Sequence, residues 1–141
     1  MEGMVVGSLM SRDVVAVSPD SSVYTAAALM TSKGVGSCVV VRDDKPVGIL
    51  TERDIVRRVV AAGLSPKRTA VSKVMSSPVI VVGENTSVKE ALSVMSRNKI
   101  RRLVVVRDDV LVGIVSVTDF VRALGEAGYA EVMPHLFSER T

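Results

Sequence analysis

The sequence has few of the residues on which many protein functions depend. Among its 141 residues it contains one cysteine, one histidine, no tryptophan and only 3% aromatic residues. A single cysteine excludes an intrachain disulfide and a cysteine-clustered metal site. The scarcity of aromatic rings argues against binding of single-stranded nucleic acid by base stacking, which usually needs aromatic platforms.

The two residues present once do not stand in a catalytic setting. Cys38 precedes a run of valines, and this position predicts a small buried apolar side chain. His135 stands near the C-terminus without an acidic or cysteine cluster beside it, so we expect no metal ion there. Because no nucleophile–base pair is visible either, we expect a protein that is not an enzyme and has no cofactor in the catalytic sense.

The sequence also lacks a long apolar run and a basic leader. No stretch is apolar enough over the length that a bilayer span requires, and the N-terminal residues "MEGMVVGSLMSRD" do not resemble a signal peptide. We therefore expect a cytoplasmic protein without membrane contact. The net charge of +3 suits an anionic ligand but is too small to require nucleic acid.

What the sequence does contain is an internal duplication. When the chain is shifted by 65 residues, positions 10–57 align with 75–122 without a gap, and 20 of these 48 positions are identical. The strings "VVVRDDKPVGILTERDI" and "VVVRDDVLVGIVSVTDF" show it most clearly. Two copies with such a long period indicate paired lobes, since an open solenoid needs three or more repeats.

Each copy shows the same order of predicted elements. Apolar residues recur at helical spacing in the first half of each copy, and "SVKE" (87–90) predicts a capping box for the second of these helices. Valine-rich runs flank an Asp-Asp pair, which predicts a hairpin. The predicted strands are 13–17, 38–42 and 46–50 in one copy and 78–82, 103–107 and 111–115 in the other; the predicted helices are 22–33, 52–61, 87–98 and 117–124.

These elements predict an α+β fold of tandem β-α-β-β-α repeats. The predicted organisation is a first repeat with an N-terminal arm (1–62), a linker (63–71), a second repeat (72–125) and a C-terminal tail (126–141). One small sheet with two helices cannot bury its own apolar surface, so we expect the repeats to pack around a pseudo-twofold axis. The groove between them is the expected place for a ligand.

One motif closes each repeat: Gly-Ile-x-(Thr/Ser)-x-x-Asp. One interpretation is structural, because a hydroxyl residue followed three positions later by a carboxylate caps a helix. The other is functional, because a helix N-terminus suits phosphate and a carboxylate accepts hydrogen bonds from ribose hydroxyls. The motif residues are Gly48, Thr51 and Asp54 in the first repeat, and Gly113, Ser116 and Asp119 in the second.

The duplicated pattern with this motif resembles a pair of cystathionine-β-synthase (CBS) domains, known as a Bateman module. The resemblance covers roughly residues 5–125. It implies a non-catalytic, stand-alone module that binds adenosine nucleotides or S-adenosylmethionine in the cleft between the repeats. AMP is the first expectation, followed by ADP, ATP and S-adenosylmethionine. Such pairs commonly form dimers and regulate another protein, so the resemblance also implies a homodimer and an effector partner.

The resemblance implies two sites, each built from one motif and the first strand of the other repeat. The motif Asp holds the ribose, the hydroxyls and the helix start meet phosphate or ribose, and the strand lines the adenine. One site would use Thr51, Arg53 and Asp54 with Val79, Ile80 and Val81; the other would use Ser116, Thr118 and Asp119 with Val14, Val15 and Ala16.

The two sites are not expected to be equal. The second repeat has "KIRRLVVV" where the first has "GVGSCVVV", and Arg101 and Arg102 offer forked donors that suit phosphate. The alternative for these arginines is an exposed strand end or ion pairs with Asp108 and Asp109. We therefore expect the Asp119 site to be the main phosphate-binding site.

Two other functions remain open at this stage. The basic isoelectric point and the arginines permit a nucleic-acid-binding protein, and a dimerisation module with empty clefts needs no ligand. The apolar residues of the tail suit either packing on a lobe or contact with a partner. The arginines that favour nucleic acid are Arg57, Arg58, Arg97, Arg101 and Arg102.

Overall fold

A computed structural model describes residues 3–123 and 125 and shows one three-stranded sheet in each repeat. The predicted α+β class is confirmed. The chain divides into two units: Val14–Val79 form one, and the other joins the N-terminal segment up to Asp13 to the chain from Ile80 onward.

The first repeat has the predicted order of elements. Ser22 caps the first helix, because its hydroxyl accepts a hydrogen bond from the Thr25 amide at 3.1 Å, and Gly34 ends that helix in the left-handed conformation. The elements are β1 (Ala16–Val17), α1 (Val23–Lys33), β2 (Ser37–Arg42), β3 (Lys45–Thr51) and α2 (Glu52–Ile55), which continues as a π-helix over Val56–Val60.

The second repeat has the same order. Its first helix begins after Ser87, whose hydroxyl accepts from the Glu90 amide at 3.0 Å. Glu90 does not return the bond to complete the predicted capping box, because its carboxylate accepts from Arg97 instead. The elements are β4 (Val81–Gly83), α3 (Val88–Asn98), β5 (Arg102–Arg107), β6 (Val110–Ser116) and α4 (117–123).

The sheets have identical topology. In each, the first strand runs parallel to the middle strand and the third runs antiparallel to it. Both hairpins turn at the Asp-Asp pair, where Asp43, Asp44, Asp108 and Asp109 all have positive φ. Positive φ at both central residues is the geometry whose twist matches paired strands, so the prediction of two hairpins is confirmed.

The first strand of each repeat is shorter than predicted. Only Ala16–Val17 and Val81–Gly83 are strands, whereas β-branched runs predicted 13–17 and 78–82. A strand requires a paired neighbour, and the parallel register with the middle strand extends over just those residues. A prediction from apolar composition alone therefore overestimated the length of these strands.

Each unit has its own hydrophobic core. The valines of β2 and β5 are buried on both faces, as their uninterrupted apolar runs predicted: Val39, Val40, Val104 and Val105 are at most 1% exposed. One core contains Val17, Val23, Ala26, Met30, Cys38, Val40, Leu50, Val59, Val71 and Val74. The other contains Val6, Met10, Val82, Val88, Ala91, Leu92, Met95, Leu103, Val105, Val115, Val117 and Phe120.

The segment that precedes each repeat packs in the unit of the other repeat. Short 3₁₀ helices at Val6–Ser8 and Val71–Lys73 lead into these segments. Ser11 pairs with Ile114 on β6, and Ser76 pairs with Ile49 on β3. The compact units thus divide the chain at 13/14 and 79/80, whereas the sequence repeats predict boundaries at 62 and 72.

The structure covers the prediction of no membrane span in part and the predicted C-terminal tail not at all. Among the residues that the structure describes, no helix has the length and apolar character of a membrane span. The predicted tail (126–141) and Leu124, the last residue of the predicted helix 117–124, lie outside the described residues.

Candidate functional site

The motif of the first repeat forms a complete capping box. The Thr51 hydroxyl accepts from the Asp54 amide at 3.1 Å, and Asp54 Oδ2 accepts from the Thr51 amide at 3.0 Å. The second oxygen, Oδ1, accepts from the Ser76 hydroxyl at 3.4 Å and lies 4.0 Å from Arg58 Nη1. Asp54 is buried, with 8% exposure, so both of its oxygens face partners from its own chain.

The motif of the second repeat has the same box with a more open carboxylate. Asp119 Oδ2 accepts from the Ser116 amide at 2.8 Å and from the Ser116 hydroxyl at 3.1 Å, and that hydroxyl accepts from the Asp119 amide at 3.2 Å. Oδ1 lies 3.5 Å from Arg122, whose side chain is 74% exposed. The structural interpretation of the motif is therefore confirmed in both repeats, and one oxygen of Asp119 is left for a further role.

The strand register brings Arg102 beside the second motif. Arg102 and Ser116 are direct partners on β5 and β6, and directly opposite residues have their Cβ atoms roughly 5 Å apart on one face of a sheet. In the first repeat the equivalent partners are Ser37 and Thr51. The second sheet therefore has the Arg102 guanidinium at the end where the first sheet has the Ser37 hydroxyl.

The start of β1 lies at the same sheet end as the motif of its own repeat. β1 runs parallel to β2, which starts at Ser37 opposite Thr51, and the Val15 carbonyl accepts from the Val39 amide at 2.9 Å. In the second repeat, Val81 pairs with Val104 on β5 in the same way. The predicted combination of each motif with the first strand of the other repeat stays a prediction.

Six predicted site residues are exposed: Ala16, Arg53, Val81, Arg101, Arg102 and Thr118. Among the residues that the structure describes, the polar side chains of this set form no hydrogen bond or ion pair with another residue. The Arg101 carbonyl accepts from the Val117 amide at 3.0 Å, and Gly36 makes the equivalent bond to the Glu52 amide. The backbone bond from the motif helix to the residue before the middle strand is therefore the same in both repeats. The repeats differ in the residue at this position, which is Arg101 in one and Gly36 in the other.

The structure adds Arg58, Ser76 and Arg122, which the sequence analysis did not place at the motifs. Helical spacing contained a signal for the two arginines, because Arg58 stands four residues after Asp54 and Arg122 three residues after Asp119. Contact of Ser76 with Asp54 depends on how the segment before the second repeat packs on β3. Periodicity holds no information on that packing.

The described residues offer little for catalysis. Burial raises the pKa of the Cys38 thiol from 9.0 to about 11, so this thiol stays protonated and is a poor nucleophile near neutral pH. In the part of the chain covered by the structure, no group of His, Cys, Asp or Glu is arranged to hold a metal ion.

Comparison with known proteins agrees with this geometry. The model of the CBS domain family matches residues 6–61 and 71–126. These two stretches contain the two sheets and both motifs. The chain belongs to the CBS domain family.

An uncharacterized protein of Methanopyrus kandleri is 40% identical over 124 residues, which are 86% of this chain and 63% of that protein. The chain spans 53% of the length of a second curated relative, a mitochondrial CBS domain-containing protein of Arabidopsis thaliana. The chain is thus clearly shorter than these two relatives.

Solved structures share the fold. A CBS domain protein of Pyrobaculum aerophilum complexed with AMP has a TM-score of 0.80 at 28% identity, with 92% of this chain and 98% of that chain covered. The CBS domain pair of protein MJ0100, in complex with 5′-methylthioadenosine and S-adenosyl-L-methionine, has a TM-score of 0.78 at 25% identity and covers 88% and 98%. These two proteins of the same fold are thus complexed with adenosine compounds.

Proposed function

We propose that this protein is a regulatory module that binds an adenosine nucleotide, with AMP as the first candidate and ADP, ATP or S-adenosylmethionine as alternatives. It catalyses no reaction and acts in the cytoplasm through a partner protein whose affinity for the module depends on the bound ligand. A coupling of this kind requires only that the ligand and the partner each favour the same conformation.

The observation that carries the proposal is the group formed by Asp119, Ser116 and Arg102 at one end of the second sheet. A carboxylate oxygen outside the helix cap can accept hydrogen bonds from ribose hydroxyls. The Arg102 guanidinium, on the same sheet end as Ser116, offers paired donors to phosphate oxygens. The AMP bound by the Pyrobaculum relative contains both of these chemical groups.

The first repeat supports a weaker site. Asp54 has the same cap, but its second oxygen already accepts from Ser76, and Ser37 stands where the second repeat has Arg102. Arg53 and Lys33 are exposed and are proposed as substitute phosphate contacts, while Arg58 lies beside Asp54 itself. We therefore propose Asp119 as the main ribose acceptor and Arg102 as the main phosphate contact.

Calorimetric titration with AMP, ATP and S-adenosylmethionine tests this proposal. We expect micromolar or tighter binding of at least one ligand. Asp119→Ala should weaken it about ten- to a hundredfold, since a hydrogen bond to a charged group contributes about 1.5–3 kcal/mol. The same change removes a helix cap and is expected to cost about 1 kcal/mol of stability, so thermal unfolding is measured alongside.

Ser87→Ala is the matched control. It removes the cap of α3 at a similar cost in stability. Ser87 follows the C-terminal end of β4, and β4 runs in the same direction as β5, away from Arg102. Ser87 thus lies toward the sheet end opposite Asp119, and its loss should leave binding unchanged. Absence of binding of all three ligands to the wild-type chain would contradict the proposal and favour a dimerisation module without ligand.

We also propose that the active form is a homodimer that associates through helices. Large apolar side chains on α1 and on the π-helix are exposed, among them Tyr24 (52%), Val56 (58%) and Val60 (65%). α1 has apolar residues on its outer face as well as its core face, whereas α3 has Lys89, Glu90 and Arg97 outside. Exposed apolar clusters of this kind mark association surfaces.

A further inference from the structure

The two motif carboxylates differ in how far their own chain satisfies them. Asp54 Oδ1 accepts from the Ser76 hydroxyl at 3.4 Å and faces Arg58 Nη1 at 4.0 Å. Asp119 Oδ1 faces Arg122, a mostly exposed side chain, at 3.5 Å. Both arginines are at least half exposed (51% and 74%), and ion pairs with exposed arginines contribute little. Asp54 is the less available acceptor because its side chain is 11% exposed against 20% for Asp119, and because its Oδ1 also accepts from Ser76.

Arg58 is held in place by the segment before the second repeat. Its Nη1 donates to the Val74 carbonyl at 3.0 Å and to the Met75 carbonyl at 3.1 Å. The neighbouring Ser76 pairs with β3 through backbone bonds of 2.9 and 3.1 Å to Ile49. Two backbone carbonyls thus fix the Arg58 guanidinium, and its positive charge lies near Asp54 Oδ1.

The helix that carries Arg58 also differs between the repeats. Val56–Val60 form a π-helix, with the Ala61 amide donating to the Val56 carbonyl at 2.9 Å. The equivalent residues 121–123 of α4 are α-helical. π-helical turns are rare in proteins, but those that occur often lie at functional sites. This difference begins two residues after Asp54 and includes Arg58.

The second repeat has the rest of the arrangement without the arginine. Ala123 aligns with Arg58, and Ser11 aligns with Ser76. Ser11 pairs with Ile114 through backbone bonds of 2.9 and 3.0 Å, as Ser76 does with Ile49. The carbonyls of Leu9 and Met10 correspond to those that Arg58 binds. Arg58 is therefore one of the side chains that distinguish the surroundings of the two carboxylates.

We propose that Arg58, together with Ser76, positions Asp54 as an internal acceptor and thereby determines that ligand binds at Asp119 rather than at both motifs. The inference rests on the proposed function, since it concerns which of two ribose acceptors a nucleotide takes. Arg58 acts here as a positioning residue. It opposes binding at the first motif even though its charge would attract a phosphate.

The test measures AMP binding by calorimetry in an Asp119→Ala background, where the main site is lost. Adding Arg58→Ala should restore binding at the first motif, with affinity about tenfold above that of Asp119→Ala alone. A purely electrostatic role predicts the opposite sign, because removal of a positive charge weakens binding of an anion. In the otherwise wild-type chain, Arg58→Ala should raise the number of bound AMP molecules from one to two.

Arg57→Ala in the same background is the matched control, because it removes an exposed arginine from the same π-helix and should not restore binding. The reciprocal change, Ala123→Arg, leaves the first unit intact and covers the case in which Arg58→Ala does not fold. It should weaken adenosine binding to the chain about tenfold; adenosine is used because it has no phosphate for the new charge to attract.

The outcomes separate this inference from the proposed function. If the wild type binds AMP but Arg58→Ala restores nothing and Ala123→Arg changes nothing, the inference is overturned while the proposed function stands. Failure of the wild type to bind any adenosine compound overturns both. Restored binding by Arg58→Ala and by Arg57→Ala alike would also overturn it, because the effect would not depend on contact with Asp54.

Discussion

Asp119 has two carboxylate oxygens, and the helix cap uses one of them. Oδ2 accepts from the amide and the hydroxyl of Ser116, while Oδ1 faces the exposed side chain of Arg122. The capping and ligand-binding interpretations of the motif are therefore compatible. A residue whose cap already fixes its orientation loses little conformational entropy on binding, which makes it a good acceptor for a ribose.

Arg102→Ala separates phosphate recognition from ribose recognition. We expect AMP to bind about tenfold or more weakly and adenosine to bind nearly unchanged, because adenosine has no phosphate. Arg102 is a strand residue and caps no helix, so stability should change little. Calorimetry with both ligands measures the difference; Arg107→Ala, at the other end of β5, is the control. Equal weakening of both ligands would show that Arg102 does not contact phosphate.

The ion pair of Glu84 with Arg107 predicts a pH-dependent contribution to stability. Both guanidinium nitrogens Nε and Nη2 donate to the two Glu84 oxygens, the second at 2.8 Å. Hydrogen bonds from Arg107 lower the pKa of the Glu84 carboxyl below its ordinary value of 4.5. A carboxyl with a lowered pKa stabilises the fold above its ordinary pKa, and this contribution is lost as pH falls through the lowered value.

Arg107→Ala should therefore lower the melting temperature at neutral pH, and the difference from wild type should shrink as the pH falls below 4.5. Thermal unfolding between about pH 2 and 7 measures both curves. Arg42, the equivalent residue of the first repeat, lies 4.0 Å from Asp20, which is 81% exposed. Arg42→Ala should show little pH-dependent difference. A constant gap between wild type and Arg107→Ala at all pH values would contradict the assignment.

At the scale of elements, the close approach of a preceding segment explains the glycine in each motif. A Cβ at Gly113 would stand 2.9 Å from the Ser11 carbonyl oxygen and 2.5 Å from Met10 Sδ. At Gly48 the corresponding distances would be 3.1 Å to the Ser76 oxygen and 2.5 Å to Met75 Sδ. A methionine side chain can move aside, but a backbone carbonyl paired with the strand cannot.

Gly113→Ala is expected to destabilise the protein by about 1–3 kcal/mol, the typical cost of forcing a methyl group into a packed contact. Gly48→Ala should cost less, because its nearest backbone oxygen is 0.2 Å further away (3.1 against 2.9 Å). Chemical denaturation measures both. Gly34→Ala serves as a control for strain without contact, since Gly34 has positive φ and no atom within 4 Å of an added Cβ. A larger loss for Gly48 than for Gly113 would contradict this ranking.

At the scale of the whole molecule, each unit is completed by a segment that precedes the other repeat in sequence. Val6 and Met10 belong to the core of the second repeat, and Val71 and Val74 belong to the core of the first. Neither sequence repeat cut out by itself would retain all of its core. The N-terminal arm is thus a structural part of the second repeat, because Val6 and Met10 are buried in its core.

The proposed homodimer gives a prediction for the intact protein. Light scattering at micromolar concentration should report about 30 kDa, twice the 15.0 kDa of one chain. Val60→Asp, which puts a charge on the exposed apolar surface of the π-helix, should shift the mass to that of a monomer, because a buried unpaired charge costs several kcal/mol. Val110→Asp is the control, since Val110 is exposed at a hairpin. A wild-type monomer, or two variants with equal masses, would contradict the dimer.

The sequence by itself determined the features that depend on neighbouring residues. The duplication, the order of elements, the two hairpins and the hydroxyl–carboxylate caps follow from apolar period, from the conformations that Asp tolerates and from contacts three residues apart. It also determined that Arg102 stands where the first repeat has Ser37, because the register of a hairpin follows from its turn. All of these could be predicted before the structure was known.

Tertiary structure decided which distant segments meet. The pairing of Ser11 with Ile114 and of Ser76 with Ile49, the short extent of β1 and β4, and the bonds of Arg58 to carbonyls 16 and 17 residues away all depend on where a short apolar segment packs. Such a segment has no period that identifies its partner, and several sheet edges would satisfy its backbone equally well. Only the packed core selects one of them, and that selection brings the Ser76 hydroxyl to Asp54.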